Sequence, residues 1–291
     1  MKRLIYLCLI LLVVQLPFVA NAQDNDKPGL PAEAELSAIV DSILDEGLRL
    51  YSFERISWQA SDSAMAHCPA LAQVNGSGVV VDSVSFTHFF TRDDEVVFSY
   101  KSDLSNENVS WDNTVRPITD AERNARDERK RCIRLAIESY GDSLRASGNV
   151  NVDVIWVSPD LIRVYFLQST TKNDVVPIGN DYSVDISPDM KPLAFRRYHH
   201  SYLEQPAYVD GEKVVDGLAH SHTPDNPYIT PTDICNMMLY GRDLYGLNTY
   251  YVLSTAFKQS IIQIFTAANP KITTMDFDEF KSLMDKINNH N

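Results

Sequence analysis

His220-Ser221-His222-Thr223-Pro224-Asp225-Asn226-Pro227-Tyr228-Ile229-Thr230-Pro231-Thr232-Asp233 is the stretch on which the reading of this chain turns. Two histidines stand two apart, and on a β-strand residues two apart point to the same side of the sheet. Both imidazoles are therefore available to one metal ion. A loop follows, and then Thr230-Pro231-Thr232-Asp233 has the form of a helix start, with threonine at the N-cap, proline at the first helical position and an acid at the third. A carboxylate in that first turn can swing back toward the histidines. Two imidazoles and one carboxylate are a common zinc set that leaves a fourth position for water. Zinc lowers the pKa of such a water until it can attack a carbonyl, and the Thr230 hydroxyl would stand close enough to support the developing oxyanion. Thr230 and Asp233 also explain themselves as a helix cap that needs no metal.

The segments around this stretch predict an α+β fold with a mixed, mainly antiparallel sheet flanked by helices. Short strands are expected at Val154 to Val157, Ile162 to Leu167, Val175 to Ile178, Tyr182 to Ile186, Leu193 to Tyr198 and Val214 to Ala219, separated by turn residues such as Ser158-Pro159 and Gly179-Asn180. That order reads as a meander rather than as alternating strands and helices. After the helix at Pro231, strands at Tyr250 to Ser254 and Ile261 to Phe265 complete the sheet. Residues 151–268 form the expected metal-binding domain, and 269–291 carry a last amphipathic helix, Met275 to Ile287.

Residues 23–150 read as a helix, a hairpin and a long helix. Leu36, Ile39, Val40, Ile43, Leu44 and Leu48 repeat at helical spacing, continuing to Tyr51 or beyond. Val79 to Phe90 and Glu95 to Tyr100 are two apolar, β-prone runs joined by a polar turn, Thr91 to Asp94. Thr119 and Glu122 make a capping box that opens a helix to about Arg145. Its arginines, interleaved with Asp127, Glu128 and Glu138, predict a solvated face with i to i+4 pairs. Trp58, Trp111 and Trp156 read as packing residues.

The first 22 residues have the order of a secretory signal peptide. Lys2 and Arg3 precede an apolar run from Leu4 to Val14, and Ala20-Asn21-Ala22 closes it. The run is too short to span a bilayer, no later stretch approaches the roughly 20 apolar residues that spanning requires, and no cysteine stands at the cleavage site. The expected location is periplasmic or secreted, without a membrane span. The net charge is -13, and removing Lys2 and Arg3 leaves -15, which would repel phosphate backbones and argues against nucleic acid as a partner. Cys68, Cys132 and Cys235 remain in an oxidising compartment; a Cys68 to Cys132 disulfide is expected, with Cys235 packed in a helix.

The pattern H-x-H, seven residues, Ser or Thr, two residues, Asp resembles the signature of the JAB/MPN/Mov34 family, the JAMM metalloproteases, over roughly residues 150–267. The resemblance implies a cytidine-deaminase-like core in the C-terminal half, Zn2+ bound by His220, His222 and Asp233, a supporting role for Thr230, and hydrolysis of a peptide or isopeptide bond. Thr223 stands where the family has proline, and Thr230 where it usually has serine. The family also carries an upstream glutamate as general base. No glutamate lies between Glu138 and Glu204, so the candidates are Glu138 near the end of the long helix and Glu54 at the end of the first, with Asp160, Glu204 and Glu212 behind them. His199-His200 are adjacent, face opposite sides of a strand, and make a poor pair for one ion; neither is expected to be a ligand. Two functions follow: an exported zinc-dependent hydrolase acting on a peptide or protein in the envelope or extracellular space, or a catalytically inactive envelope protein of the same fold that serves as a binding or scaffold module.

Overall fold

A computed structural model describes residues 27–74, 76–81, 85–103, 108–145, 148–209, 211–213 and 217–289. The expected signal peptide lies outside the described residues, as does part of the strand expected at 214–219. Among the described residues no helix is long and apolar enough to cross a membrane.

Helix α1 spans Glu33–His67, well past Tyr51. Ile56, Ala60 and Ala64 extend its buried stripe; the two alanines add little hydropathy, which is why the sequence signal fades before the helix does. Strands β1 (Gly76–Val81), β2 (Ser85–Phe90), β3 (Glu95–Ser102) and β4 (Val109–Asp112) follow in spatial order, with β5 (Arg116–Pro117) also on β3. The expected hairpin is β2 with β3, where Phe89 faces Phe98. The run from Val79 to Phe90 is not one strand, however. It folds back on itself, so that Val79 pairs with Thr87.

Helix α2 (Asp120–Tyr140) begins with the expected capping box, the Thr119 amide donating to Glu122 Oε2 at 2.9 Å. It ends in a 3-10 turn at Gly141–Ser143, short of Arg145. Its arginines do not chiefly pair along the helix. Arg123 and Arg126 reach Asp94 in the β2–β3 turn, and Arg129 donates to the Val152 carbonyl. Trp111 and Trp156 are exposed and outside the core, although Trp111 packs by stacking on His67 and Phe98.

The C-terminal part contains β6 (Val150–Ser158), β7 (Leu161–Gln168), β8 (Val175–Ile178), β9 (Tyr182–Ile186), β10 (Pro192–Arg197), β11 (Leu203–Pro206), β12 (Tyr208–Val209), β13 (Glu212–Lys213) and β14 (Leu218–His222). It continues through α3 (Pro231–Asn236), a π-helical turn (Met237–Leu244), β15 (Thr249–Ser254), β16 (Ile261–Thr266), β17 (Lys271–Asp276) and α4 (Phe277–Asn289). The strands do not form the single meander read from the sequence. One antiparallel sheet has the order β10-β9-β7-β6, β8 pairs with β11, β12 with β13, and a further sheet has the order β14-β15-β16-β17. Within that sheet β14 and β15 are parallel. A parallel pair requires a crossover connection, and α3 supplies it. β17 escaped the sequence reading because its last two residues were taken into the final helix.

The main core joins α1 to both halves of the C-terminal part, through Leu50, Tyr165, Ile178, Ile234, Tyr250 and Phe265 among others. At Gly47 α1 packs tightly on α3: a Cβ added there would stand 2.7 Å from Ile234 Cβ. The expected disulfide is not formed. Cys68 packs beneath the β2–β3 hairpin with Phe89 and Phe98, whereas Cys132 on α2 packs against β7 and β9, so the two thiols lie in separate cores. Cys68, Cys132 and Cys235 are all free and buried, Cys235 in α3 as expected.

Candidate metal centre

Strand β14 lies at the edge of its sheet and alternates as its sequence predicts: His220 and His222 are buried and Ser221 between them is exposed. The loop after β14 delivers Thr230 to the N-cap of α3, where a complete capping box forms with Asp233. The Thr230 hydroxyl and amide donate to Asp233 Oδ2 at 2.7 and 2.9 Å. The cap reading and the ligand reading therefore describe one arrangement, because the bonds that cap the helix also fix the carboxylate. Asp233 Oδ1 turns the other way and stands 3.4 Å from His220 Nε2, while Oδ2 stands 3.3 Å from His222 Nε2.

The structure adds a fourth group that the sequence reading had set aside. His199, in the turn after β10, points into the cluster with its Nε2 3.2 Å from His220 Nε2, 3.1 Å from His222 Nε2 and 3.2 Å from Asp233 Oδ1. Adjacent histidines do face apart, as expected, and His200 turns outward to Asp225. The error was to require both or neither. His199, His220, His222 and Asp233 are each at most 8% exposed, and together they form a group that could hold a metal ion.

Hydrogen bonding outside the cluster decides how the imidazoles meet one another. His222 Nδ1 lies 2.7 Å from the Tyr228 carbonyl and 3.0 Å from the Asn226 carbonyl, so it must be the donor. His199 Nδ1 lies 2.8 Å from Asp181 and donates likewise. In their neutral forms both rings then aim bare Nε2 lone pairs at each other and at His220 Nε2, which is 2.6 Å from His222 Nε2. Such an arrangement repels itself unless a metal ion, or a proton on His220 Nε2, stands between the nitrogens; among the described residues His220 Nδ1 is buried without a hydrogen-bond partner. A tetrahedral metal with bonds of about 2.0–2.1 Å holds its ligand atoms about 3.3–3.4 Å apart. With Asp233 Oδ1 as the carboxylate atom, His199–His220, His199–His222, His199–Asp233 and His220–Asp233 stand 3.1–3.4 Å apart, His220–His222 is shorter at 2.6 Å, and His222 approaches the other carboxylate oxygen, Oδ2, at 3.3 Å.

The electrostatics favour Asp233 and His220 as ligands and set a condition on His199. Burial alone would push the Asp233 carboxyl up, but the three imidazoles around it hold it well below the usual range. Burial, reinforced by the two neighbouring histidines and opposed by Asp233, keeps His220 well below an ordinary histidine and hence neutral, as a ligand must be. For His199 burial is outweighed by Asp181 and Asp233, which raise it, so His199 has to release the proton on Nε2 before that nitrogen can hold a metal. Asp181 is itself 1% exposed and also accepts a hydrogen bond from the Thr232 hydroxyl. Asp181 and Asp233 together offer two negative charges, which suits a divalent cation.

The carboxylates nominated as general base are elsewhere. Glu138 is exposed on α2, Asp160 is exposed in a turn, and Glu212 is exposed on β13. Glu204 bonds to Thr170, Tyr202 and Lys172. Glu54 is buried on α1 but accepts from Trp58 and Asn151. The carboxylate that the fold brings to the histidines is Asp181, just ahead of β9, where the Tyr182 to Arg197 pairing sets it beside His199. No sequence spacing marked it, since its nearness depends on strand register.

No family model, curated protein or solved structure matches this chain.

Proposed function

We propose that this chain is an exported zinc-binding protein, JAMM-like in its ligand motif, whose centre is closed by four protein groups and braces a binding or scaffold module of the envelope. The observation that carries this reading is the completed ligand set. His199 stands at the corner that a hydrolytic zinc keeps open for water and substrate. Three imidazoles and one carboxylate with ligand atoms within 4.8 Å of one another suit Zn2+, whereas Mg2+ and Ca2+ require six or more oxygen-rich positions. The ligands come from three elements: the turn after β10, strand β14 and helix α3. One ion would tie all three together, and structural zinc adds directly to folding free energy.

Metal analysis of the purified protein is expected to find one zinc per chain, lost in His222→Ala. At a free zinc concentration about 100 times Kd, binding adds about 2.7 kcal/mol. Chelation should therefore lower Tm by about 5–10 °C in a chain of this size. No stoichiometric zinc, or a Tm indifferent to chelation, would overturn the reading. Export is tested by the mass of the mature protein, expected to begin at Gln23.

The second reading, a zinc-dependent hydrolase acting on a peptide or isopeptide bond, draws on the H-x-H to Thr230 to Asp233 spacing. It also draws on one structural asymmetry: His199 is the ligand carried by an irregular turn. On this reading His199 leaves the ion to free a coordination position. X-ray absorption of the zinc-loaded protein separates the two: three nitrogens and one carboxylate favour the closed centre, whereas two nitrogens and an exchangeable position favour the hydrolase.

A further inference from the structure

The groove around Trp58 carries an inference independent of the metal centre. Trp58 on α1 meets Tyr240 of the π-helical turn edge to face, with ring centroids 5.2 Å apart. Trp58 lines a cavity of about 360 Å³, whose polar lining includes Asn151, Thr170, Thr171, Lys172 and Asn173. A second cavity of about 290 Å³ shares Trp58 and Leu244 and is charged, with Arg55, Asp62 and Asp243 beside Gln59. The larger cavity is the less charged of the two and is the one that suits a neutral ligand.

The walls are fixed by acids that stand behind them. Buried Glu54 accepts from Trp58 Nε1 at 3.1 Å and from Asn151 Nδ2 at 2.7 Å. The indole donor is thereby satisfied from within, and the ring is held as a platform. Glu204 does the same for the opposite wall, accepting from the Thr170 hydroxyl at 3.1 Å and pairing with Lys172. Lys172 is the one cation among the described residues lining the larger cavity, and its charge is met by Glu204. No carboxylate lines that cavity, although the chain carries a net charge of -13. Walls already held in position reduce the ordering that a ligand must impose. Aromatic surface with a few convergent hydroxyl and amide groups, in a cleft of several hundred Å³, is the usual form of a small-molecule site.

We propose that this groove binds a neutral saccharide, with apolar ring faces against Trp58 and Tyr245 and hydroxyls bonded to the asparagine and threonine side chains. An anion is poorly matched because Lys172 is already paired. A wholly apolar ligand would meet a wall made largely of hydroxyl and amide side chains and would displace water from it without replacing the lost contacts.

The test is titration of the zinc-loaded wild-type chain with cellotriose and with chitotriose, followed by tryptophan fluorescence and calorimetry. Saturable binding in the range of about 0.1–1 mM is expected. Thr171 is exposed, so Thr171→Arg fills the larger cavity without disturbing the core. Affinity should fall at least about tenfold in Thr171→Arg and in Trp58→Phe, with zinc content and Tm of Thr171→Arg unchanged. The proposal is overturned if neither trisaccharide saturates the wild type by about 10 mM, if Thr171→Arg binds like the wild type, or if trialanine binds as tightly.

Discussion

His199 Nδ1 lies 2.8 Å from Asp181 Oδ2, and both atoms are buried. The bond fixes the tautomer of His199 and turns its Nε2 toward His220, His222 and Asp233. Carboxylates that hold a metal-binding histidine in this way strengthen its ligation, and their loss weakens metal affinity by about 10–100-fold. Asp181→Asn should therefore lower zinc affinity by that factor, measured by competition with a coloured chelator, while the far-UV circular dichroism stays unchanged. A change of less than about twofold would mean that His199 is oriented by something else.

Glu54 gives a pH prediction away from the metal. Burial, and then the neighbouring Asp153, hold its carboxyl well above the usual range. The folded state therefore retains a proton that the unfolded chain releases above its ordinary pKa of about 4.3. Stability contributed by this group is greatest below that value and falls as pH rises toward the raised folded pKa. Glutamine keeps an acceptor for Trp58 and Asn151 and supplies a permanent donor toward Asp153. Glu54→Gln should match the wild type near pH 4 and exceed it at pH 8, as read from urea midpoints. Equal destabilisation at both pH values would contradict a protonated Glu54.

Gly47→Ala should destabilise the chain by about 1–3 kcal/mol, the usual range for overpacking a filled core. The added methyl group meets Ile234 on α3, one residue after Asp233. Alanine alone would favour a helix by about 1 kcal/mol over glycine, so the sign is diagnostic. Urea denaturation that finds Gly47→Ala as stable as the wild type would mean that α1 and α3 can separate without loss.

Much of this arrangement was legible in the residues. Period-two spacing gave the shared face of His220 and His222, and cap chemistry gave the start of α3 at Pro231 and the reach of Asp233. These are local properties, set within one strand or one turn of helix. His199 and Asp181 were not legible because they meet through the pairing of β9 with β10 and through the approach of that sheet to β14, distances that no spacing records. The parallel pairing of β14 with β15 and the self-pairing of residues 76–90 were missed for the same reason. Strand content was readable, but partner choice was not. The disulfide expectation failed because counting cysteines says nothing about which side of a sheet each one packs against.

The closeness of the four ligands along the chain has a kinetic consequence. His199 and His220 are 21 residues apart, and His222 and Asp233 follow, so that all four fall between residues 199 and 233. Loop-closure entropy rises only slowly with length, as about (3/2)RT ln n, so gathering these groups on an ion asks little of an unfolded chain. On the proposed reading, a bound ion would act as a template during refolding, fixing β14 against the turn after β10 before α1 docks. Refolding begun with zinc present should then outpace refolding to which zinc is added late.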